Sequence, residues 1–467
     1  MKKAKTFLSA FAGLLMFAPS LSAQNKDITP EMLRDFRQKS EMKGADKAIA
    51  NAVAVNGLRT LAKVAQNDIP GGTYFSNKVE SKGITDQQNS GRCWLFTGLN
   101  ILRSRMIQRY DLGDFQLSQN YVFFYDQLEK SNLFLQAVID NGKKPMNDRL
   151  VEWLFKNPLS DGGQFTGVAD LITKYGVVPA SAMPETFNSN STSTYSKQLS
   201  EKLREYGLTL RSMIANGDKA TAVAAKKQEM LATVYSILVR CFGMPPEKFT
   251  WTRTDSKGKP VSTKEYTPLG FYKEYIGKDL KGNYVMFMND PSHEFYKTYE
   301  IDLDRHAYDG ENWTFVNVPI DELKDMAIKS IKDSTMMYLS CDVSKFLDSK
   351  RGYSDPGNYN YADLLGTDFP MDKKDRIRTF ASASTHAMTL MAVDLDESGK
   401  PRKWMVENSW GADSGYKGHI IMSDKWFSEY VFRLVIEKKY VSDKLLQLTK
   451  EKPVKLPAWD PLFAPEP

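Results

Sequence analysis

The feature that most constrains this chain is a change of texture at Phe242. Before it, apolar residues recur at helical spacing; after it, they come in short runs rich in β-branched and aromatic residues. Upstream, Leu95, Leu99, Leu102 and Met106 follow one another at steps of 4, 3 and 4, which lays an apolar stripe along a helix from Ser90 to Tyr110. Asn89 or Ser90 is its expected cap. Further helical patterns run from Ser118 to Glu129, Val168 to Tyr175 and Ser196 to Val239. Downstream, seven runs read as strands: Tyr284 to Met288, Thr314 to Val318, Met336 to Cys341, Ala387 to Val393, Lys403 to Asn408, Gly418 to Met422 and Tyr430 to Ile436. The alternation Trp404, Val406 and Ile420, Met422 predicts strands buried on one face. A helical half followed by a sheet half makes an α+β protein rather than a βαβ array.

At 467 residues the chain exceeds what one compact core supports, and its 42% hydrophobic content is ample for more, so two or three lobes or a scaffold with large insertions is expected. The first segment is not part of that fold. Lys2, Lys3 and Lys5 precede an apolar run from Phe7 to Ala18, and small residues follow at Ser22 and Ala23, the pattern of a cleavable secretory signal over residues 1–23. That run is too short for a membrane anchor, which needs roughly 20 residues, and no later run reaches spanning length. The mature protein is therefore expected to be soluble and exported, to a periplasm or outside the cell. Three of the 63 basic residues and none of the 57 acidic ones lie in the leader, so a formal charge of +6 falls to +3. No nucleic-acid partner is expected from so small an excess. The remainder divides into an N-terminal arm (24–70), a mainly helical lobe (71–242), a mainly β lobe (243–440) and a C-terminal arm (441–467). Prolines at 453, 457, 461, 465 and 467 exclude a helix or a central strand from that last segment, leaving an extended tail that is either loose or docked in a groove.

Three cysteines cannot staple a chain of this length. Cys93 sits near the start of the striped helix, where the positive end of the macrodipole stabilises a thiolate. Position alone fits a buried structural thiol equally well. The flanks favour chemistry: Gln87 offers a side-chain NH2 to an oxyanion, and Gly91 in Ser90-Gly91-Arg92-Cys93-Trp94 lets backbone approach a substrate. Of four histidines, His386 opens a strand in Thr385-His386-Ala387-Met388, and Asn408 follows 22 residues later in Glu407-Asn408-Ser409-Trp410-Gly411. Each alone is an ordinary core residue. Adjacent strands would bring them together as base and orienting group for a thiolate. No His or Cys lies at zinc-ligand spacing, so neither metal nor cofactor is expected.

Gln87 to Trp94 resembles the nucleophile segment of papain-like cysteine peptidases, and Asn408-Ser409-Trp410-Gly411 resembles their asparagine motif. His386 and Asn408 follow Cys93 by 293 and 315 residues, against the 130 to 150 or so of the papain branch, so about 150 residues are inserted. That spacing, with Leu117-Ser118-Gln119-Asn120-Tyr121, Asp161-Gly162-Gly163-Gln164, Lys174-Tyr175-Gly176-Val177-Val178-Pro179 and Leu456-Pro457-Ala458-Trp459-Asp460-Pro461, resembles the bleomycin hydrolase and aminopeptidase C group. The resemblance implies a papain-like fold, a helical lobe plus a β-sheet lobe, with large helical insertions and a C-terminal arm entering the cleft.

It also implies a cysteine aminopeptidase acting on peptides through a Cys93 thioester. His386 and Asn408 would complete the catalytic set, and Gln87 with the Cys93 N–H would form the oxyanion hole. Trp410 would shield the His386–Asn408 hydrogen bond. Gly162 and Gly163 would pair with substrate backbone, and the terminal carboxylate of Pro467 would meet the substrate's amino group. A homohexamer is implied as well. Other readings are an endopeptidase or dipeptidyl-peptidase of the same clan with a freely moving tail, and a non-catalytic oligomeric binding protein. Cys241 and Cys341 are either bridged or two buried thiols.

Overall fold

A computed structural model describes residues 27–463; the expected leader and Pro467 lie outside the described residues. The striped helix spans Cys93–Tyr110 and begins after Arg92, not after Asn89 or Ser90. Those two residues are engaged elsewhere. The Asn89 backbone pairs with the segment 190–192, and the Ser90 hydroxyl donates to the Gln87 carbonyl. Arg92 takes the cap position through its carbonyl, which accepts from the Leu95 and Phe96 N–H groups. The helix is buried on every side through its first three turns, a wider surface than the predicted stripe, because it lies between the helix Phe165–Tyr175 and the sheet. Gly98 permits the first of these contacts: a Cβ there would stand 2.7 Å from a Val168 methyl.

Helices Gln119–Asp140, Ser193–Ala215 and Ala220–Phe242 complete the helical half. The helical pattern from Ser196 to Val239 forms two helices, folded back at Asn216-Gly217-Asp218-Lys219. Gly217 takes φ +82° there, a left-handed conformation that a β-carbon disfavours.

Among the described residues the second half supplies eleven strands of a twelve-stranded sheet. Its central strands run in the order Tyr284–Met288, Val431–Glu437, Met337–Cys341, His386–Leu395, Pro401–Glu407 and His419–Ser423, each antiparallel to the next in this series. The expected one-sided burial is not observed. Trp404, Met405, Val406, Ile420, Ile421 and Met422 are all buried, because both sheet faces are covered. Asn77–Lys78, from the helical half of the sequence, pairs with His386–Leu395 and sews the two halves together.

The N-terminal helices Pro30–Lys39 and Ala45–Val55 bury no residue. The C-terminal segment is docked. Val454–Leu456 adds as an edge strand parallel to Lys297–Ile301, with Pro453 and Pro457 flanking it where no ladder donor is needed. Trp459 then stacks under the Arg149 guanidinium at 4.2 Å, and Leu462 is buried in a 3-10 turn. Among the described residues no helix is long and apolar enough to cross a membrane.

Candidate active site

The site is assembled where the segment 85–93 crosses the end of the sheet. Backbone hydrogen bonds from Gln87 N to Ser409 O (2.8 Å) and from Gly411 N to Thr85 O (3.2 Å) lay that segment antiparallel to the asparagine motif. Gln87 is buried and its amide is held at both ends. The Ser409 hydroxyl donates to Oε1 at 2.6 Å, and Nε2 donates to the Ser90 carbonyl at 2.6 Å. One amide hydrogen is thereby used, and an NH2 carries two.

His386 opens its strand opposite Cys341, at the sheet end against which the Cys93 helix packs. Its Nε2 lies 2.8 Å from Asn408 Oδ1, an oxygen that also accepts from Ser409 N at 2.8 Å. Because that oxygen only accepts, Nε2 carries the proton and Nδ1 is the nitrogen left to serve a thiol. The Trp410 ring lies over the imidazole with centroids 4.8 Å apart. His386 and Asn408 are buried, and Cys93 is 6% exposed. Burial pulls the imidazole down to about 4, with the Asn408 hydrogen bond acting in the opposite direction. A proton on His386 is thus favourable only beside a negative charge, and a neighbouring thiolate is such a charge.

One strand position before Asn408, Glu407 forms a fully buried ion pair with Arg103 of the nucleophile helix at 2.8 Å and accepts from Ser81 as well. This pair ties the helix bearing Cys93 to the strand leading to Asn408. On the other flank, Asp161 joins the nucleophile segment twice: its carboxylate accepts from Gly91 N at 2.8 Å and its carbonyl from the Trp94 indole at 2.9 Å. Gly162 and Gly163 continue that loop, and a Cβ on Gly163 would stand 2.9 Å from the ring of Trp94, the residue after Cys93.

The structure therefore brings together Gln87, Cys93, His386, Asn408 and Trp410, with Gly162 and Gly163 at the margin. Pro467 lies outside the described residues. Cys241 and Cys341 are both free, so the bridged alternative is not what forms, and burial pushes both thiols up, Cys341 strongly.

Two clusters had no signal in the sequence. Asp126 and His306, 180 positions apart, form a buried pair at 2.5 Å beneath the Gly162-Gly163 loop. Asp290, His293 and Asp460 are the described residues whose ligand atoms lie close enough for a metal ion. Both ring nitrogens of His293 already face carboxylates, Asp290 at 2.7 Å and Asp460 at 3.5 Å, so the cluster reads as an ion bridge holding the C-terminal arm.

Comparison with known proteins gives the family and the fold. The profile of the Peptidase C1-like family matches residues 27–463. Aminopeptidase C of Lactobacillus delbrueckii subsp. lactis is 36% identical over 445 residues, covering 94% of this chain and 99% of the relative. Bleomycin hydrolase of Rattus norvegicus is 37% identical over 394 residues, or 82% of this chain and 87% of that protein. The crystal structure of pepW from Lactobacillus rhamnosis HN001 superposes with a TM-score of 0.90 at 37% identity, covering 94% of this chain and 99% of its own. A match of this extent makes the α+β fold a papain-like one: the chain belongs to the Peptidase C1-like family.

Proposed function

We propose that this chain, a cysteine-type aminopeptidase, is exported and removes N-terminal residues from peptides through a thioester on Cys93, its C-terminal arm setting where the substrate's amino terminus stops. The observation that carries the reading is the His386–Asn408 hydrogen bond built against the segment that holds Gln87 and Cys93. The names of the relatives, aminopeptidase C and bleomycin hydrolase, agree with it.

In the proposed cycle the Cys93 proton passes to Nδ1 of His386, and the thiolate attacks the carbonyl of the first peptide bond. Asn408 holds the imidazolium in place. The oxyanion is met by the second Nε2 hydrogen of Gln87 and by the N–H of Cys93, which stands in the first helical turn, where N–H groups lack intrahelical acceptors. His386 then protonates the departing amine. Water, deprotonated by the same nitrogen, cleaves the thioester, releases the N-terminal amino acid and returns the proton to the Cys93–His386 pair. Trp410, stacked on His386, keeps water from the Asn408 hydrogen bond.

Support for the arm comes from where its last described turn lies. The Leu462 carbonyl accepts from Arg433 at 3.3 Å, and Arg433 is aligned with Ser340, which is aligned in turn with Ala387, the neighbour of His386. Two strand spacings, about 10 Å, separate the Arg433 and Ala387 backbones. This register, which sets the last described turn toward the strand that opens with His386, supports the reading of the arm. Assembly into a homohexamer belongs to the same proposal, and the exposed Met32, Leu33 and Phe36 of the N-terminal helix suit such contacts. The export part rests on the leader and predicts a mature protein beginning at Gln24.

The deciding experiment follows the products from an unblocked pentapeptide. Wild type should release single residues and Cys93→Ser none. Deletion of Ala464 to Pro467 should allow dipeptides or internal fragments. Retained turnover in Cys93→Ser would overturn the mechanism, and an unchanged product pattern after the deletion would overturn the role of the arm.

A further inference from the structure

The loop Ser160–Gln164 flanks Cys93, yet most of what holds it comes from groups far from the nucleophile. Lys130 donates to the carbonyls of Ser160 (3.0 Å) and Gly162 (2.6 Å), and Gln127 donates to Ser160 O at 3.0 Å. Both side chains also meet one oxygen of Asp126, at 2.9 Å each. The other Asp126 oxygen faces Nδ1 of His306 at 2.5 Å. Asp126 is wholly buried and His306 is 2% exposed.

The His306 ring is the floor of the loop. A Cβ on Gly163 would stand 2.2 Å from its Cε1, and one on Gly167 would stand 2.3 Å from its Cγ, so backbone rests directly on both parts of the imidazole. Trp94, next to the nucleophile, packs on the same ring with centroids 4.6 Å apart. Gln164 N–H approaches Nε2 at 3.4 Å. A backbone N–H can only donate, which assigns the acceptor role to Nε2 and places the His306 proton on Nδ1, toward Asp126. His306 is supplied by the sheet half, between the strands Lys297–Ile301 and Thr314–Asn317, whereas Asp126 lies on the helix Gln119–Asp140.

We propose that His306 and Asp126 are positioning residues: together they set the height of the Gly162-Gly163 backbone relative to Cys93, and so the binding of peptide rather than the chemistry of the thiol. The inference rests on the reading of that loop as the place where substrate backbone pairs. Loss of one backbone hydrogen bond between such a loop and its substrate costs roughly 2- to 13-fold in affinity.

The test compares wild type with His306→Ala, His306→Gln and Asp126→Asn. With aminoacyl arylamides, His306→Ala should raise KM about 10-fold with kcat changed by less than about 3-fold, and His306→Gln, which refills the floor and can donate to Asp126, should recover most of the loss. Alkylation of Cys93 by iodoacetamide, which needs no loop, should stay within about 2-fold of wild type. Should His306→Ala fail to fold, Asp126→Asn, with shape kept and charge lost, is expected to raise KM by about 3-fold or more. An unchanged KM in the variants that fold, or a parallel loss of kcat and of alkylation rate, would overturn the proposal. Hydrogen exchange tests the underlying reading separately. Labelling wild type with an aminoacyl chloromethyl ketone should protect the amide of Gly163, since those of Gly162 and Gln164 already donate to Ser160 Oγ and His306 Nε2. Absence of protection would overturn the reading of the loop, whatever the KM values show.

Discussion

Replacing Gln87 by Ala isolates the oxyanion term. In the resting enzyme the Gln87 amide is locked by the Ser409 hydroxyl on Oε1 and by the Ser90 carbonyl on one Nε2 hydrogen, so the second hydrogen has a fixed direction and no rotation precedes catalysis. Loss of one preorganised donor of this kind lowers kcat roughly 100- to 1,000-fold, about 3–4 kcal/mol of transition-state stabilisation. KM should change little, because the donor meets charge that exists only in the transition state. The same substitution strands the buried Ser409 hydroxyl, a stability cost of about 1–3 kcal/mol that denaturation would report independently. Two companion variants sharpen the magnitude. Gln87→Glu keeps the shape but can no longer donate and adds charge beside the Ser90 carbonyl, so it should lose at least as much as Gln87→Ala. Ser409→Ala removes the lock alone and forfeits a neutral hydrogen bond of about 0.5–1.5 kcal/mol, a loss of roughly 2- to 13-fold. The assay is kcat and KM on aminoacyl nitroanilides, with iodoacetamide alkylation of Cys93 as a control that generates no oxyanion. A kcat for Gln87→Ala within about 10-fold of wild type, or a loss confined to KM, would refute the assignment.

Three further outcomes follow from buried charge. Glu407→Gln, which strands Arg103 inside the protein, should destabilise by about 3–5 kcal/mol in urea unfolding, and Glu407→Leu with Arg103→Met should recover much of that. Since His386 is depressed to about 4 from 6.5, its contribution to stability is fully present above about 6.5 and is lost as pH falls toward 4. Unfolding of Cys93→Ser should show a loss of about 3 kcal/mol over that window that is absent when His386→Gln is added. His293 is raised by its hydrogen bond to Asp290, with Asp460 adding to the effect, so its contribution is complete below pH 6.5 and is lost as pH rises through the raised value. Hydrogen exchange over residues 453–462, corrected for intrinsic rate, should accelerate in the alkaline direction, and His293→Gln should abolish that pH dependence.

Local signals are what the sequence carries well, and the particulars show where they stop. The stripe Leu95, Leu99, Leu102, Met106 locates the helix that bears Cys93 because helical torsions repeat every 3.6 residues, but the helix is capped by Arg92, since Asn89 and Ser90 are committed to partners that the stripe does not encode. Strand positions such as Trp404 and Val406 were found by their side-chain types. Their two-sided burial depended on what covers the sheet, which one strand cannot report. Gln87, Cys93, His386 and Asn408 stand out as candidates because each sits in a short run whose residue types are unusual together. Asp126 and His306 do not, since a single Asp on a helix and a single His in a loop look like any others.

An α+β chain with a candidate nucleophile, base, orienting residue and oxyanion donor, and a proline-rich tail, can be read from residue order alone. Those properties rest on local torsional preference, side-chain chemistry and spacing. Which partners meet is a property of the folded core. The core places Ser409 against Gln87, Glu407 against Arg103, His306 under Gly163 and His293 between Asp290 and Asp460. The physical reason is that such contacts depend on strand register and on helix placement against the sheet, and these emerge from packing of the whole core rather than from any one segment.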